Sequence, residues 1–199
     1  SRHIFITGSN SKLLSREIST SLRGRTLSYD IFPLSFREYL GFKNIDIDLY
    51  DIKTKSKIKH LFEKYLFEGG FPEVINYTKN IQEKILQEYF DVMIYRDIAE
   101  RYKLTNLSVI KYFLKKLIIN SASQFSIHKI YNELKSMGYK IGKNQLYDLL
   151  DYAESSYLSM VVKRHHASII KQEYFTKKVY AVDNGMINAV TYNFNKNYG

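Results

Sequence analysis

Lys140, Lys143, Asn144, Gln145 and Tyr147 lie close together in the chain, and a second basic group, Lys163-Arg164-His165-His166, follows downstream. Lysine and arginine pair with phosphate oxygens, while asparagine and glutamine match the donor and acceptor edges of bases. The two groups together are therefore candidates for a nucleic-acid contact. Asp148, Asp151 and Glu154 belong to the same stretch as the first group. Carboxylates sit poorly in a phosphate-lined groove, so docking to a protein or to another domain is the competing reading.

Other chemistry is thinly represented. The chain has no cysteine, which excludes disulfides, thiolate metal sites and a cysteine nucleophile. Its histidines, His3, His60, His128, His165 and His166, form no i, i+4 pair and have no carboxylate at metal-ligand spacing. No metal site is expected. No serine lies in a nucleophile elbow, and no G-x-x-x-x-G-K-[ST] phosphate loop occurs. The chain shows no catalytic apparatus of its own.

The elements that must carry these groups follow from composition and periodicity. With 199 residues, 45% hydrophobic and 15% aromatic, the chain suffices for one ordinary domain or two small ones. No apolar run approaches the roughly 20 residues that cross a bilayer, and no signal-peptide pattern opens the sequence. A soluble, cytoplasmic protein without membrane attachment is expected. The net charge of +10 is uneven: residues 1–100 hold 15 Lys+Arg against 14 Asp+Glu, and residues 101–199 hold 15 against 6, so the halves carry +1 and +9. That local excess suits a phosphate-bearing or acidic partner, or else a solubilising lysine-rich surface.

Along the chain, His3–Thr7 and Thr26–Phe32 read as strands around a helix at about Lys12–Leu22, and Ser35-Phe36-Arg37-Glu38 is a capping box that opens a helix. An acidic loop is expected over Asn44–Lys57. Ile58, Leu61, Phe62, Tyr65 and Leu66 then form one helix face, ended by Gly69-Gly70-Phe71-Pro72. After a turn at Glu73–Tyr77, Asn80-Ile81-Gln82-Glu83 reads as a second capping box, at the head of a long helix towards Arg101. Three further helices are expected around Ile110–Ile118, Ile127–Leu134 and Leu146–Ala153, followed by strands at Tyr157–Val162 and Tyr174–Tyr180. Helix, helix, helix, strand, basic loop, strand is the order of a winged helix-turn-helix. Its recognition helix would be Lys143–Glu154 and its wing the residues around Lys163–Lys171.

Three strings in order carry a family resemblance: Ile4-Phe5-Ile6-Thr7-Gly8-Ser9-Asn10-Ser11-Lys12-Leu13-Leu14-Ser15, then Leu22-Arg23-Gly24-Arg25, then Phe32-Pro33-Leu34-Ser35-Phe36-Arg37-Glu38-Tyr39-Leu40. They resemble the second half of the ATPase core in a prokaryotic AAA-type ATPase family. Tyr65–Val74 is similar to that family's helical lid, Tyr95-Arg96-Asp97-Ile98 to the stretch leading into its winged helix, and Lys178–Gly185 to the entry of a C-terminal nuclease-like domain. The Walker A loop and Walker B acid of such a family are absent from the sequence, so the resemblance implies a fragment.

The resemblance implies mainly α structure with minor β: a remnant of an α/β P-loop core (residues 1–42), a lid (43–100), a winged helix (101–178) and the start of a nuclease-like domain (179–199). Ser9, with Thr7 or Asn10 as neighbours, would be the polar group that hydrogen-bonds the γ-phosphate or orients the attacking water, although Gly-Ser-Asn-Ser is also ordinary turn chemistry. Arg25 would stabilise transition-state charge, or else form a surface ion pair. Gly69, Gly70 and Pro72 resemble a lid element that abuts adenine; a helix C-cap followed by a first-turn proline explains them equally well. Asp183 suits a nuclease-like acid less well than a helix cap.

The implied cofactor is ATP with Mg2+ in the intact protein, without tight binding to this chain alone. The implied function is coupling of nucleotide state to a winged helix that meets double-stranded DNA or a protein, with homo-oligomerisation left open. A stand-alone basic winged-helix DNA-binding protein is the alternative.

Overall fold

The structure, a computed structural model, describes residues 4–9, 27–48, 50–168, 172 and 175–191. The helix expected at Lys12–Leu22 lies outside the described residues. Two compact units result: the described residues of 32–91 join those of 181–191, and those of 1–31 join those of 92–180.

In the unit of residues 32–91 and 181–191, helix α1 spans Phe36–Phe42. Its start is the expected capping box: the Ser35 N–H donates to Glu38 Oε2 at 2.8 Å and the Glu38 N–H to Ser35 Oγ at 3.4 Å. Helix α2 covers Ile52–Glu68, capped by Asp51, whose Oδ2 accepts from the Thr54 N–H at 2.8 Å. The acidic loop is thus shorter than expected, because Asp51 serves as a cap. The apolar stripe of α2 is only partly covered, with Phe62 43% exposed. Phe36 packs on Phe62 and Tyr65, at ring distances of 4.9 and 5.4 Å.

Helix α3 spans Lys79–Val92. Asn80 lies inside its first turn, so the second capping box does not start the helix; the Thr78 carbonyl accepts from the Ile81 and Gln82 N–H groups instead. The core joins Val74 and Leu86 to Ala189 of a C-terminal helix that spans Asn184–Thr191, with Phe71, Ile85 and Tyr89 against them. Complete burial pushes the Tyr39 hydroxyl up to about 12, aided by the nearby Glu68 carboxylate.

In the unit of residues 92–180, Met93–Glu100 is a π-helix whose Ile94, Ile98 and Ala99 are buried. Helix α4 (Leu107–Ile119) buries Val109, Ile110, Phe113, Leu114, Leu117 and Ile118. Strand β1 (Gln124–Phe125), α5 (Ile127–Ser136), α6 (Lys143–Ser155), β2 (Ser159–Val162) and β3 (Lys177–Ala181) follow, and the C-terminal helix is then α7. Ala181, the last residue of β3, falls in the other unit.

The sheet order is β1-β3-β2, and β1 pairs antiparallel with β3, Phe125 opposite Lys177. Strand β1 is too short to show in the periodicity. Ser126 caps α5 through the Lys129 N–H at 3.3 Å. A polar clip joins α4 to α5: Tyr112 donates its hydroxyl to Glu133 Oε2 at 2.9 Å, and Lys116 Nζ lies 3.2 Å from the same oxygen.

The strands expected at His3–Thr7 and Thr26–Phe32 are not formed over the described Ile4–Thr7 and Leu27–Phe32. Ile4, Phe5, Leu27 and Ile31 are 83–90% exposed. An extended apolar run becomes a strand only where neighbours satisfy its backbone groups. The sheet of the described residues supplies no such pairing, since it consists of β1, β3 and β2. No described helix is long and apolar enough to cross a membrane.

Candidate functional site

Ser9 lies in the unit of residues 92–180, against the π-helix. Within that helix and its flanks, Val92, Arg96 and Glu100 recur at four-residue spacing, as do Asp97 and Arg101. These side chains and Ser9 line an open cleft of about 510 Å³. The Ser9 hydroxyl donates to Asp97 Oδ1 at 2.6 Å. One guanidinium nitrogen of Arg101 is 3.5 Å from Ser9 Oγ and 3.8 Å from Asp97 Oδ1, so three polar groups close on one point. Arg96 and Glu100 are exposed, and their side chains engage no described residue in a hydrogen bond or ion pair. π-Helical turns are rare and recur at functional sites. Two guanidiniums and a hydroxyl form a donor set fit for a phosphate, with the carboxylates Asp97 and Glu100 acting against it.

Of the residues expected to touch nucleotide, Ser9 is therefore in a polar cleft. Thr7 is exposed and outside its lining, while Asn10 and Arg25 lie outside the described residues. Arg96, Asp97, Glu100 and Arg101 were not expected as site residues. The Tyr95-Arg96-Asp97-Ile98 string was their available signal, yet nothing in one sequence tells that Ser9 meets it across 88 residues.

Gly69, Gly70 and Pro72 lie in the other unit. Gly69 ends α2 at φ 79°, the left-handed region that glycine adopts without strain. A Cβ there would fall 2.2 Å from Asp183 Oδ1, and one on Gly70 would fall 2.2 Å from the Leu34 carbonyl oxygen. The close approach that these glycines permit is thus to the protein's own chain. Asp183 Oδ2 accepts from the Gly70 N–H at 2.6 Å and Oδ1 from the Met186 N–H at 3.0 Å, so this side chain caps α7 and ties it to the end of α2. Burial pushes the Asp183 carboxyl up from its ordinary value, against the lowering effect of the backbone N–H groups that it accepts.

The basic residues occupy two places in the unit of residues 92–180. Lys140, Lys143, Asn144 and Gln145 are exposed at the start of α6, and Lys163 and Arg164 are exposed just after β2. Lys143 Nζ stands 5.2 Å from the centre of the Tyr131 ring. Gln145 accepts the Gly142 N–H at 2.9 Å, which gives it a capping role. Tyr147 is half-buried under Lys177, 5.3 Å from its Nζ. Arg164 lies over Phe175 at 5.1 Å. Asn144, Asp148 and Asp151 are exposed at i, i+4 and i+7, so acids share the outer face of α6 with a polar candidate.

Residues 1–40 match a profile described as "AAA domain", and they include Ser9. Residues 59–197 match the profile "Domain of unknown function (DUF8612)", and the chain belongs to that family. It is 40% identical over 99% of its length to "Uncharacterized protein MJ1544" of Methanocaldococcus jannaschii, and 33% identical over 92% to an "Uncharacterized protein" of Haemophilus influenzae. The chain spans 44% of the length of each relative. No solved structure matches it.

Proposed function

We propose that the chain is the part of an AAA-type ATP-binding protein that converts nucleotide state into a changed contact by a winged-helix module. The observation that carries the reading is the hydrogen bond from Ser9 to Asp97, which joins the AAA-matching segment to the DUF8612 segment in a cleft with two arginines. Ser9 and Arg96 would meet the terminal phosphate of ATP, whose Mg2+-bound form supplies the cleavable anhydride. Thr7, Asn10 and Arg25 belong to the same proposal as neighbours of that phosphate. The backbone donors and lysine of a Walker A loop are missing from this sequence, so hydrolysis is a property of the full-length protein.

The element order helix, strand, helix, helix, strand, strand and the sheet order β1-β3-β2 support the winged-helix part of the reading. Exposed Lys140, Lys143, Lys163 and Arg164 favour a duplex as its partner. Asp148 and Asp151 favour a protein.

Equilibrium binding of fluorescent ATP and ADP to the full-length protein tests the nucleotide reading. Ser9→Ala should weaken ATP about tenfold and leave ADP unchanged, as expected for a lost hydrogen bond to a charged group. An unchanged ATP affinity, or no nucleotide binding by the unaltered protein, overturns it.

A further inference from the structure

A serine hydroxyl carries one hydrogen, so it can donate to one acceptor at a time. Here that hydrogen goes to Asp97 Oδ1 at 2.6 Å, within the π-helix. Arg101 stands by both atoms, 3.5 Å from Ser9 Oγ and 3.8 Å from Asp97 Oδ1. A carboxylate oxygen and a phosphate oxygen make the same demand on such donors, that of an anionic acceptor. Donation to one therefore excludes donation to the other, whereas the five N–H groups of Arg101 can serve both.

We propose that Asp97 is an internal competitor of phosphate: its carboxylate holds the Ser9 hydroxyl, and the terminal phosphate of a nucleoside triphosphate displaces it. This rests on the reading that Ser9 faces nucleotide, and it adds a regulatory consequence. Arg96, exposed and unengaged among the described residues, is the second cation for the incoming charge, against Glu100 on the same rim. A diphosphate has no group to place at Ser9 and leaves the Ser9–Asp97 bond intact. Asp97 is followed by the buried Ile98 and Ala99, so its release is felt where the π-helix packs on α4. Asp97 is a positioning residue, which sets the threshold between triphosphate and diphosphate.

The test is a double-mutant cycle on the full-length protein, read as equilibrium affinities for fluorescent ATP and ADP. Asp97→Asn keeps the side-chain shape and removes the competing charge. It should strengthen ATP binding about tenfold and leave ADP within about twofold. In a Ser9→Ala background the same change should have less than about a threefold effect on ATP, because the competition has gone. Arg101→Gln, at an exposed position, is an independent variant and should weaken ATP about tenfold without affecting ADP.

An unchanged ATP-to-ADP ratio in Asp97→Asn, or an equal effect with and without Ser9, overturns the competitor role. If Asp97→Asn does not fold, Asp97→Ala takes its place in the same cycle, with the same gain in ATP binding expected and the same unchanged ratio overturning the role. Should Ser9→Ala alone weaken ATP while Asp97→Asn does nothing, the nucleotide reading stands and the competitor falls. Should Ser9→Ala do nothing, both fall.

Discussion

Asp183 is buried and accepts hydrogen bonds from the Gly70 and Met186 backbones, so one carboxylate closes a helix end and a helix start together. Burial raises its folded pKa, and the sign of the pH effect follows. Its stabilising contribution is complete below the ordinary carboxylate value and is lost as pH rises through the raised one. Relative to Asp183→Asn, the unaltered protein should therefore gain stability as pH is lowered from neutrality towards 4, measured by urea melts in a pH series. Gly70→Ala should be worse at every pH, by about 2–3 kcal/mol, because its Cβ meets a backbone oxygen and only a main-chain shift relieves it. The Gly-Gly pair was visible in the sequence as a helix end or, by resemblance, as a lid element against adenine. What approaches it was not, because Asp183 lies 113 residues beyond Gly70.

Two helix starts were legible from a local serine cap, whereas Asp51 caps α2 at the same spacing inside the expected loop and the box at Asn80 does not start α3. Ser35 and Ser126 cap as their neighbours require, since both partners lie three residues away. Ser126→Ala should cost about 1 kcal/mol in a melt that monitors the unit of residues 92–180. Phe113, fully buried and edge-on to Phe125 at 5.6 Å, belongs to the stripe that the periodicity of α4 already marks. Phe113→Ala should cost about 3–5 kcal/mol in the same measurement. The π-helix was not legible, because its apolar spacing also fits an α-helix. The expected strands before residue 33 failed for a different reason. Their apolar content marks burial against a sheet, and the described sheet offers them no edge.

Sequence order and spatial grouping part company over the whole molecule. Residues 179–199 read as the entry to a further domain, whereas the described residues 181–191 supply Met186, Ala189 and Val190 to the unit built on residues 32–91. Truncation after Tyr180 should abolish hydrogen-exchange protection in α1 and α2 while sparing α4–α6. Charge, too, acts at this scale. If the basic residues meet a duplex, the affinity of the chain for fluorescent DNA should fall steeply with salt, by about 0.9 log units per contacted phosphate for each tenfold increase. It should vanish in the variant Lys140→Glu/Lys143→Glu/Lys163→Glu/Arg164→Glu. No binding at low salt would assign the +9 half to solubility or to docking of a protein.

By itself, the sequence determined the mainly helical class with minor strand, the amphipathic stripes of α4 to α6, their serine cap and the absence of a Walker A loop. These depend on spacing along the chain, where propensity and periodicity act within a few residues. Only the tertiary structure decided that Ser9 meets Asp97 and Arg101, and that Asp183 explains Gly69 and Gly70. Asp183 is brought to Gly69 and Gly70 by burial of Met186, Ala189 and Val190 of α7, and its polar atoms then pair because a buried charge is costly alone. Ser9 meets Asp97 and Arg101 from an exposed segment, through polar contacts that no local rule of the sequence encodes.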